Sequence, residues 1–360
     1  MKIGMRDVGP GQPCYVVAEI SGNHNGSLQT AEAIIREAAM AGADAVKTQI
    51  FEPSAMALDT TDPRLTVTWQ GRTVGLHALY AETAMPLDWH IRLRELAGSL
   101  GLAYIASVFD ANSIDLAVEL NLPAIKIASF EITDVTLLRL VAETGRPVIV
   151  STGMAAAEEV SVAVNTIKTT WNRASMPDCG LALLHCVSAY PAPLADTRLA
   201  RMCELPSRIR GLSDHGRNNM VVAAAVALGA AIVERHIRLD DDNVGPDTPF
   251  SDTPAEFADM IRAIRDVETA IGEPTWGPSP SELPMLYYRR SIWITRDIAA
   301  GEPLTPDNIA ILRPADGLPP AVWPYVLGLR AARPLKRGEP LRREALETWN
   351  DSDVDIPDPA

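Results

Sequence analysis

His215 and His236 each close a short apolar run, the first following residues 210–213 and Asp214, the second ending residues 232–236. If those runs are neighbouring parallel strands, roughly 4.8 Å apart, both imidazoles stand at one height and can share a divalent ion. Glu19 ends another apolar run and comes near the same ion if the strands close into a ring. Taken singly, either histidine reads more simply as a hydrogen-bonded core residue. The matched pair favours the metal.

Lysine is the second signal. Lys2, Lys47, Lys126, Lys168 and Lys336 are the whole set, and Lys47 and Lys126 lie inside apolar runs. A buried ammonium is costly without a partner, and one bound phosphate would satisfy both. Ser107, Ser129 and Ser151-Thr152-Gly153 close or follow similar runs and offer hydroxyl and backbone donors, partly at helix starts. Two alternatives stay open: internal pairing, for instance of Lys126 with Glu131, and a Schiff-base lysine. Gln49 shares a run with Lys47, and Asn23-His24-Asn25 follows Glu19. Ser188-Ala189-Tyr190-Pro191 could hold a sugar or be a simple turn. Asp247 could accept sugar hydroxyls, whereas Asp240-Asp241-Asp242 reads as a solvated loop.

These residues need a frame that brings run ends together. The strand-like runs are residues 15–20, 43–49, 103–107, 124–127, 147–151, 181–185, 210–213 and 232–236. Helical patterns lie between most of them, at 28–41, 86–100, 111–120, 135–144, 157–169 and 218–228, with a last one at 254–270. Strands separated by helices pair in parallel. Eight such units in about 250 residues predict an α/β protein of the TIM (β/α)8 barrel type, whose chemistry sits at the C-terminal strand ends. A doubly wound sheet competes, but no run is followed by a GxGxxG turn.

Residues 1–271 form the predicted barrel. Residues 272–288, rich in Gly and Pro, read as a linker. Residues 289–349 form a second, small β-rich domain with an internal echo: Arg296-Asp297-Ile298-Ala299-Ala300-Gly301-Glu302-Pro303-Leu304 resembles Arg333-Pro334-Leu335-Lys336-Arg337-Gly338-Glu339-Pro340-Leu341. Residues 350–360 read as a disordered acidic tail. The net charge of −14 argues against nucleic-acid and anionic-membrane partners. No secretory leader is legible. Cys14, Cys179, Cys186 and Cys203 show no CxxC spacing and read as reduced thiols, so a cytoplasmic location is expected.

Several segments together resemble the sialic acid synthase family: Ala18-Glu19-Ile20-Ser21-Gly22-Asn23-His24-Asn25-Gly26, Lys126-Ile127-Ala128-Ser129-Phe130-Glu131, Ser151-Thr152-Gly153-Met154, Gly211-Leu212-Ser213-Asp214-His215 and Glu234-Arg235-His236. The C-terminal landmarks Arg289-Arg290-Ser291, Ile311-Leu312-Arg313-Pro314 and Gly317-Leu318 resemble the SAF, or antifreeze-like, domain of the same enzymes. Lys126 to Glu131, Trp69-Gln70-Gly71-Arg72-Thr73 and Leu79-Tyr80 resemble the pseudaminic branch most. Thr48 and Phe51-Glu52-Pro53-Ser54 depart from the family pattern and are expected beside the sugar.

The resemblance implies condensation of phosphoenolpyruvate with an amino-sugar aldehyde of the 2,4-diacetamido-2,4,6-trideoxy-altrose type. Neuraminate or legionaminic acid synthesis is the alternative. It implies His215 and His236 as ligands of Mn2+, with Mg2+ or Co2+ as alternatives. Lys47, Ser107, Lys126, Ser129, Ser151 and Gly153 would hold phosphoenolpyruvate, and Asn23, Gln49, Ser188, Tyr190, Asp247 and Arg313 the sugar. Glu19, Lys47, Gln49 and Glu131 would carry the catalysis. The partners expected are the two small substrates and a second copy of the chain, in a homodimer whose SAF domain covers the partner's barrel and delivers Arg313. A lysine Schiff-base aldolase is the competing enzyme. A sugar-binding or ice-binding protein is the non-enzyme reading, and it leaves the ring of strand-end polar groups unexplained.

Overall fold

The computed structural model describes residues 1–69, 71–240 and 245–349, and these fall into two compact units that divide after Gly272. The acidic Asp241 and Asp242, Gln70 and the tail 350–360 lie outside the described residues.

In the first unit eight strands close into a parallel barrel: β1 (Tyr15–Glu19), β2 (Ala45–Ile50), β3 (Ala103–Val108), β4 (Ile125–Ile127), β5 (Val148–Ser151), β6 (Leu181–Cys186), β7 (Ile209–Asp214) and β8 (Ile232–His236). Each pairs with the next, and β8 returns to β1 with His236 opposite Glu19. The α/β barrel expected from the apolar runs is therefore present. Around it run α1 (Leu28–Ala41), α2 (Trp89–Ser99), α3 (Ala111–Glu119), α4 (Val135–Glu143), α5 (Ala157–Arg173), the short α6 (Ala200–Glu204), α7 (Asn219–Ala227) and α8 (Pro254–Ile271).

Local chemistry sets the helix ends. Ser27 accepts from Thr30 N at 3.2 Å to start α1, and Gly42, at φ 93°, ends it in a conformation that favours glycine. The buried face of α1 is Ala31, Ile34, Ile35 and Ala38, an i, i+3, i+4, i+7 stripe. Thr253 and Glu256 form a capping box on α8.

Strand alternation separates two cores. Val16, Ala18, Val46 and Ala106 face the helices. Tyr15, Val17, Ala45, Ile105, Ala124, Ile149, Ala182, Leu184 and Ile232 fill the lumen, joined by Ile3 and Val8 of an N-terminal hairpin (Lys2–Ile3 with Arg6–Asp7). Two residues further along these strands the lumen face becomes polar: Glu19, Lys47, Ser107, Lys126, Ser151 and Glu234. Gly211 belongs to the tight part of this packing, since a Cβ there would stand 2.2 Å from the Ile232 carbonyl.

One stretch escaped the sequence reading. Between β2 and α2 the chain makes a helix (Pro53–Met56), a hairpin (Thr66–Trp69 with Arg72–Gly75) and a further helix (Leu76–Thr83). Its strands are only four residues each, too short for a clear alternation. No helix among the described residues is long and apolar enough to cross a membrane.

The second unit is built on β9 (Ser291–Ile294) and β10 (Ile309–Leu312), antiparallel, over a core that includes Ile292, Ile298, Leu304, Val326, Leu335 and Leu341. Its sequence echo is structural. Ile298 and Leu335 exchange both backbone hydrogen bonds at 2.9 Å. Glu302 accepts from Ala299 N and Glu339 from Lys336 N, each at 2.9 Å, around the positive-φ turns Gly301 and Gly338. Within residues 272–288, read as a linker, Leu283–Tyr288 forms a 3-10 helix whose Tyr287 carbonyl accepts from Ala315 N at 2.9 Å.

Candidate active site

Four charged side chains meet on the polar tier of the lumen. Lys47 Nζ lies 2.5 Å from Glu19 Oε2 and 3.9 Å from Glu234 Oε2, and donates to Ser107 Oγ at 3.2 Å. Lys126 Nζ lies 3.2 Å from Glu234 Oε1 and donates to Ser151 Oγ at 2.7 Å. Ser213 Oγ donates to Glu234 Oε1 at 2.8 Å. All four are buried, so burial opposes each charge.

The outcomes differ. Glu234 has burial against it, yet Lys126 and Lys47 outweigh it and hold its carboxyl at about 2. Lys47 likewise overcomes burial through Glu19 and Glu234, and its pKa is raised. At Lys126 burial wins and the pKa falls, and at Glu19 burial wins and the pKa rises. Lys126 is thus the cation with too little negative charge around it. An arriving anion would supply the rest.

Internal pairing of the lysines is therefore real, but the partner of Lys126 is Glu234 rather than Glu131. Glu131 sits in the turn after β4, where burial pushes its carboxyl up to about 7. Ser129 Oγ accepts from Gly153 N at 3.1 Å. A Cβ on Gly153 would stand 2.2 Å from Ser188 Oγ and 2.8 Å from Ser129 Oγ, so glycine there lets two hydroxyls converge. Ser188, assigned to the sugar from sequence, stands with these groups.

The histidines also meet. The rings of His215 and His236 are 5.4 Å apart between centroids. His215 Nδ1 lies 3.0 Å from the Val187 carbonyl, which calls for a proton on Nδ1. Although burial opposes the charge, Cys186 and that carbonyl outweigh it and raise the pKa of the ring. Burial holds His236 neutral, its pKa well below the usual value, and its Nδ1 is buried without a hydrogen-bond partner. A neutral His236 with an open nitrogen, beside His215, suits a divalent ion of borderline softness. No group of three or more His, Cys, Asp or Glu is placed to hold a metal among the described residues.

Above the polar tier the pocket, about 320 Å3, is walled by Val67, Trp69, Leu76, Leu79 and Tyr80 of the segment after β2. Phe130 and Phe250 add to that wall. Gln49 lines it too, donating to Ser21 Oγ at 3.0 Å and Glu19 Oε1 at 3.3 Å. Tyr190 packs on His215 at 4.3 Å, and Asp247 Oδ2 accepts from Gly22 N at 2.9 Å.

Three sugar-side assignments change. Asn23 is not on the pocket wall: its amide donates to the Ile237 carbonyl at 3.0 Å and Ser251 Oγ at 2.9 Å. Thr48 is not beside the sugar, because alternation turns it out of the lumen, where it donates to Tyr104 Oη at 2.9 Å. Phe51 is buried behind Tyr80, ring centroids 6.0 Å apart. Arg313 is exposed in the second unit.

Sequence reasoning gave no role to Glu234, Ser213, Cys186 or the apolar wall. Glu234 was findable, since it lies two residues before His236 and shares its face. Ser213 stands in the same relation to His215.

A profile for the NeuB family matches residues 34–275, and one for the SAF domain matches residues 289–347. The chain is 36% identical over 341 residues to pseudaminic acid synthase of Helicobacter pylori, covering 93% of this chain and 98% of that one. It is 35% identical over 352 residues to N,N'-diacetyllegionaminic acid synthase of Legionella pneumophila, covering 96% and 98%. Among solved structures it is similar to a putative spore coat polysaccharide biosynthesis protein E from Chromobacterium violaceum. There the TM-score is 0.73 and the identity 26%, with 94% of this chain and 100% of that chain covered. Matched in the barrel and in the C-terminal unit alike, this chain belongs to the NeuB, or sialic acid synthase, family and carries a SAF domain.

Proposed function

We propose that this chain condenses phosphoenolpyruvate with an open-chain 2,4-diacetamido-2,4,6-trideoxy-altrose-type aldehyde and water. The products are a nonulosonic acid of the pseudaminic type and phosphate. The observation that carries the reading is Lys126: a buried ammonium hydrogen-bonded to Ser151 at the polar base of the pocket, where burial outweighs its neighbouring carboxylates. The phosphate of phosphoenolpyruvate would complete its neutralisation, with Ser107, Ser129 and Gly153 as further donors. Lys47, already balanced by Glu19, would face the carboxylate end.

The methylene carbon of phosphoenolpyruvate bonds to the aldehyde carbon as its alkene π bond opens, the aldehyde oxygen takes a proton, and the carbon bearing the phosphate is left as an oxocarbenium centre. The resulting oxocarbenium centre adds water, which gives up its proton. The tetrahedral intermediate then expels phosphate by C–O cleavage, its hydroxyl becoming the ketone as that proton passes to the departing phosphate. Glu131, held near neutrality, suits one proton transfer, and Glu19 the other. Mn2+, with Mg2+ or Co2+ as alternatives, would be held by His215 and His236 with water and would supply Lewis-acid polarisation of the aldehyde oxygen.

The apolar wall gives the two acetamido methyls and the deoxy terminus somewhere to bury, while Tyr190, Gln49 and Asp247 offer the polar contacts. A diacetamido sugar is also consistent with relatives named for pseudaminic and diacetyllegionaminic acids. Phosphate release measured across a panel of N-acetylmannosamine and each diacetamido-trideoxy hexose tests this. Preference for N-acetylmannosamine would replace the pseudaminic reading by the neuraminate one.

The lowered pKa of Lys126 would also suit a Schiff-base aldolase. Trapping of pyruvate by borohydride with indifference to chelator would favour that reading. We further infer a cytoplasmic homodimer, with one SAF domain lending Arg313 to its partner's barrel. The exposed Arg313 and the four unpaired cysteines support this. Mixing Arg313→Ala and His236→Ala chains tests it, since recovered activity requires a shared site.

A further inference from the structure

The polar groups behind the barrel wall are as ordered as those in front of it. Arg235 precedes His236 and, by alternation, faces away from the lumen. Its side chain is 0% exposed. Nε lies 3.3 Å from Asp214 Oδ2. Nη1 lies 3.3 Å from Asp252 Oδ2 and donates to Asn219 Oδ1 at 2.7 Å. Asp214 precedes His215 and is the cross-strand partner of Arg235. One ion pair therefore joins β7 to β8 immediately before the two histidines.

Asp252 extends this clamp. Its N–H donates to the His236 carbonyl and its own carbonyl accepts from Arg238 N, both at 2.9 Å. Its Oδ1 lies 3.4 Å from Arg217 Nε, and Arg217 reaches Glu256 at 2.5 Å. The segment ending at Asp252 also holds Phe250, whose ring meets His236 at 5.0 Å, and the pocket residue Asp247.

Stability alone does not account for a wholly buried guanidinium, because well-packed apolar residues often do as well or better in such places. A planar fork held by one hydrogen bond to Asn219 and flanked by carboxylates of Asp214 and Asp252 at 3.3 Å does supply direction. We propose that Arg235 is a positioning residue. From outside the pocket it sets the separation and orientation of His215 and His236, and it ties to them the segment carrying Asp247 and Phe250.

The metal arm of the test rests on the proposed role of the two histidines; the imidazole arm does not. Arg235→Met, Arg235→Lys and Asp252→Asn are compared with the parent as metal-stripped, full-length chains. The readouts are thermal melting, 1H–15N histidine spectra, Mn2+ affinity and phosphoenolpyruvate affinity. In Arg235→Met the ring resonances of His215 and His236 should shift. Mn2+ affinity should fall roughly 10- to 100-fold, while phosphoenolpyruvate affinity holds. Arg235→Lys should recover most of the loss by keeping one ion pair. Should Arg235→Met not fold, Asp252→Asn carries the same comparison with a smaller shift. Shifted rings with unchanged Mn2+ affinity would support the positioning role and refute the metal assignment. Unshifted rings, or equal loss of Mn2+ and phosphoenolpyruvate affinity, would overturn the proposal.

Discussion

The lumen of the barrel has two tiers made by the same strands. In the lower one, Val17, Ala45, Ile105, Ala124, Ile149 and Ile232 need only each other. In the upper one, two residues along, Glu19, Lys47, Ser107, Lys126, Ser151 and Glu234 need partners, and each partnership is paid for in desolvation. The lower tier closes the core. The upper one leaves Lys126 under-neutralised, which is what a site for an anion requires. The contrast implies that the two tiers should fail differently.

The largest effect expected is in the upper tier. If the proposed ion is present, His236→Ala, or chelation, should remove several kcal/mol of Lewis-acid assistance, about a thousandfold in rate. Metal analysis of the purified variant would reveal the cause; unchanged metal content would reject the ligand assignment. In the lower tier, Leu184→Ala should lower unfolding free energy by roughly 2–5 kcal/mol and leave the KM for phosphoenolpyruvate alone. Denaturant titration beside kinetics separates the two outcomes.

Lys126→Ala should do the reverse. It should raise the KM for phosphoenolpyruvate about 10- to 100-fold, the loss of a charge-assisted contact of roughly 1.5–3 kcal/mol, with little change for the sugar. If KM for phosphoenolpyruvate is unaltered, the lysine faces something else. Trp69→Ala should weaken the sugar by roughly 2- to 10-fold, the scale of one aromatic contact of roughly 0.5–1.5 kcal/mol, and spare phosphoenolpyruvate.

A last effect is one of pH, read in stability and not in rate. Glu131 has a folded pKa of about 7, above the usual value for glutamate. Between those two values the folded chain holds a proton that the unfolded chain has lost, so stability falls as pH rises through that window. Glu131→Gln should flatten this slope. A melting-temperature series from pH 5 to about 7.5 reads it, and an unaltered slope in the variant would assign it to another group.

The barrel was legible because its strands are buried on both faces and read as continuous apolar runs. β8 was placed at residues 232–236, as observed. The convergence of His215 and His236 was legible for the same reason. Less visible was which way a side chain points: Thr48 lies between Lys47 and Gln49 in sequence but on the other side of the wall. The partner of Lys126 lies 108 residues away, and no spacing rule reaches that far. The segment after β2, with its Trp69 and Tyr80, was legible only as a resemblance, because short edge hairpins carry weak periodicity.

The reciprocal hydrogen bonds between Ile298 and Leu335 make the two halves of the C-terminal unit each other's template. The first half also pairs β9 with β10, but at Ile298 and Leu335 each half completes the other. Opening one strip therefore exposes amides on both, and protection against hydrogen exchange should be lost from the pair together rather than in sequence.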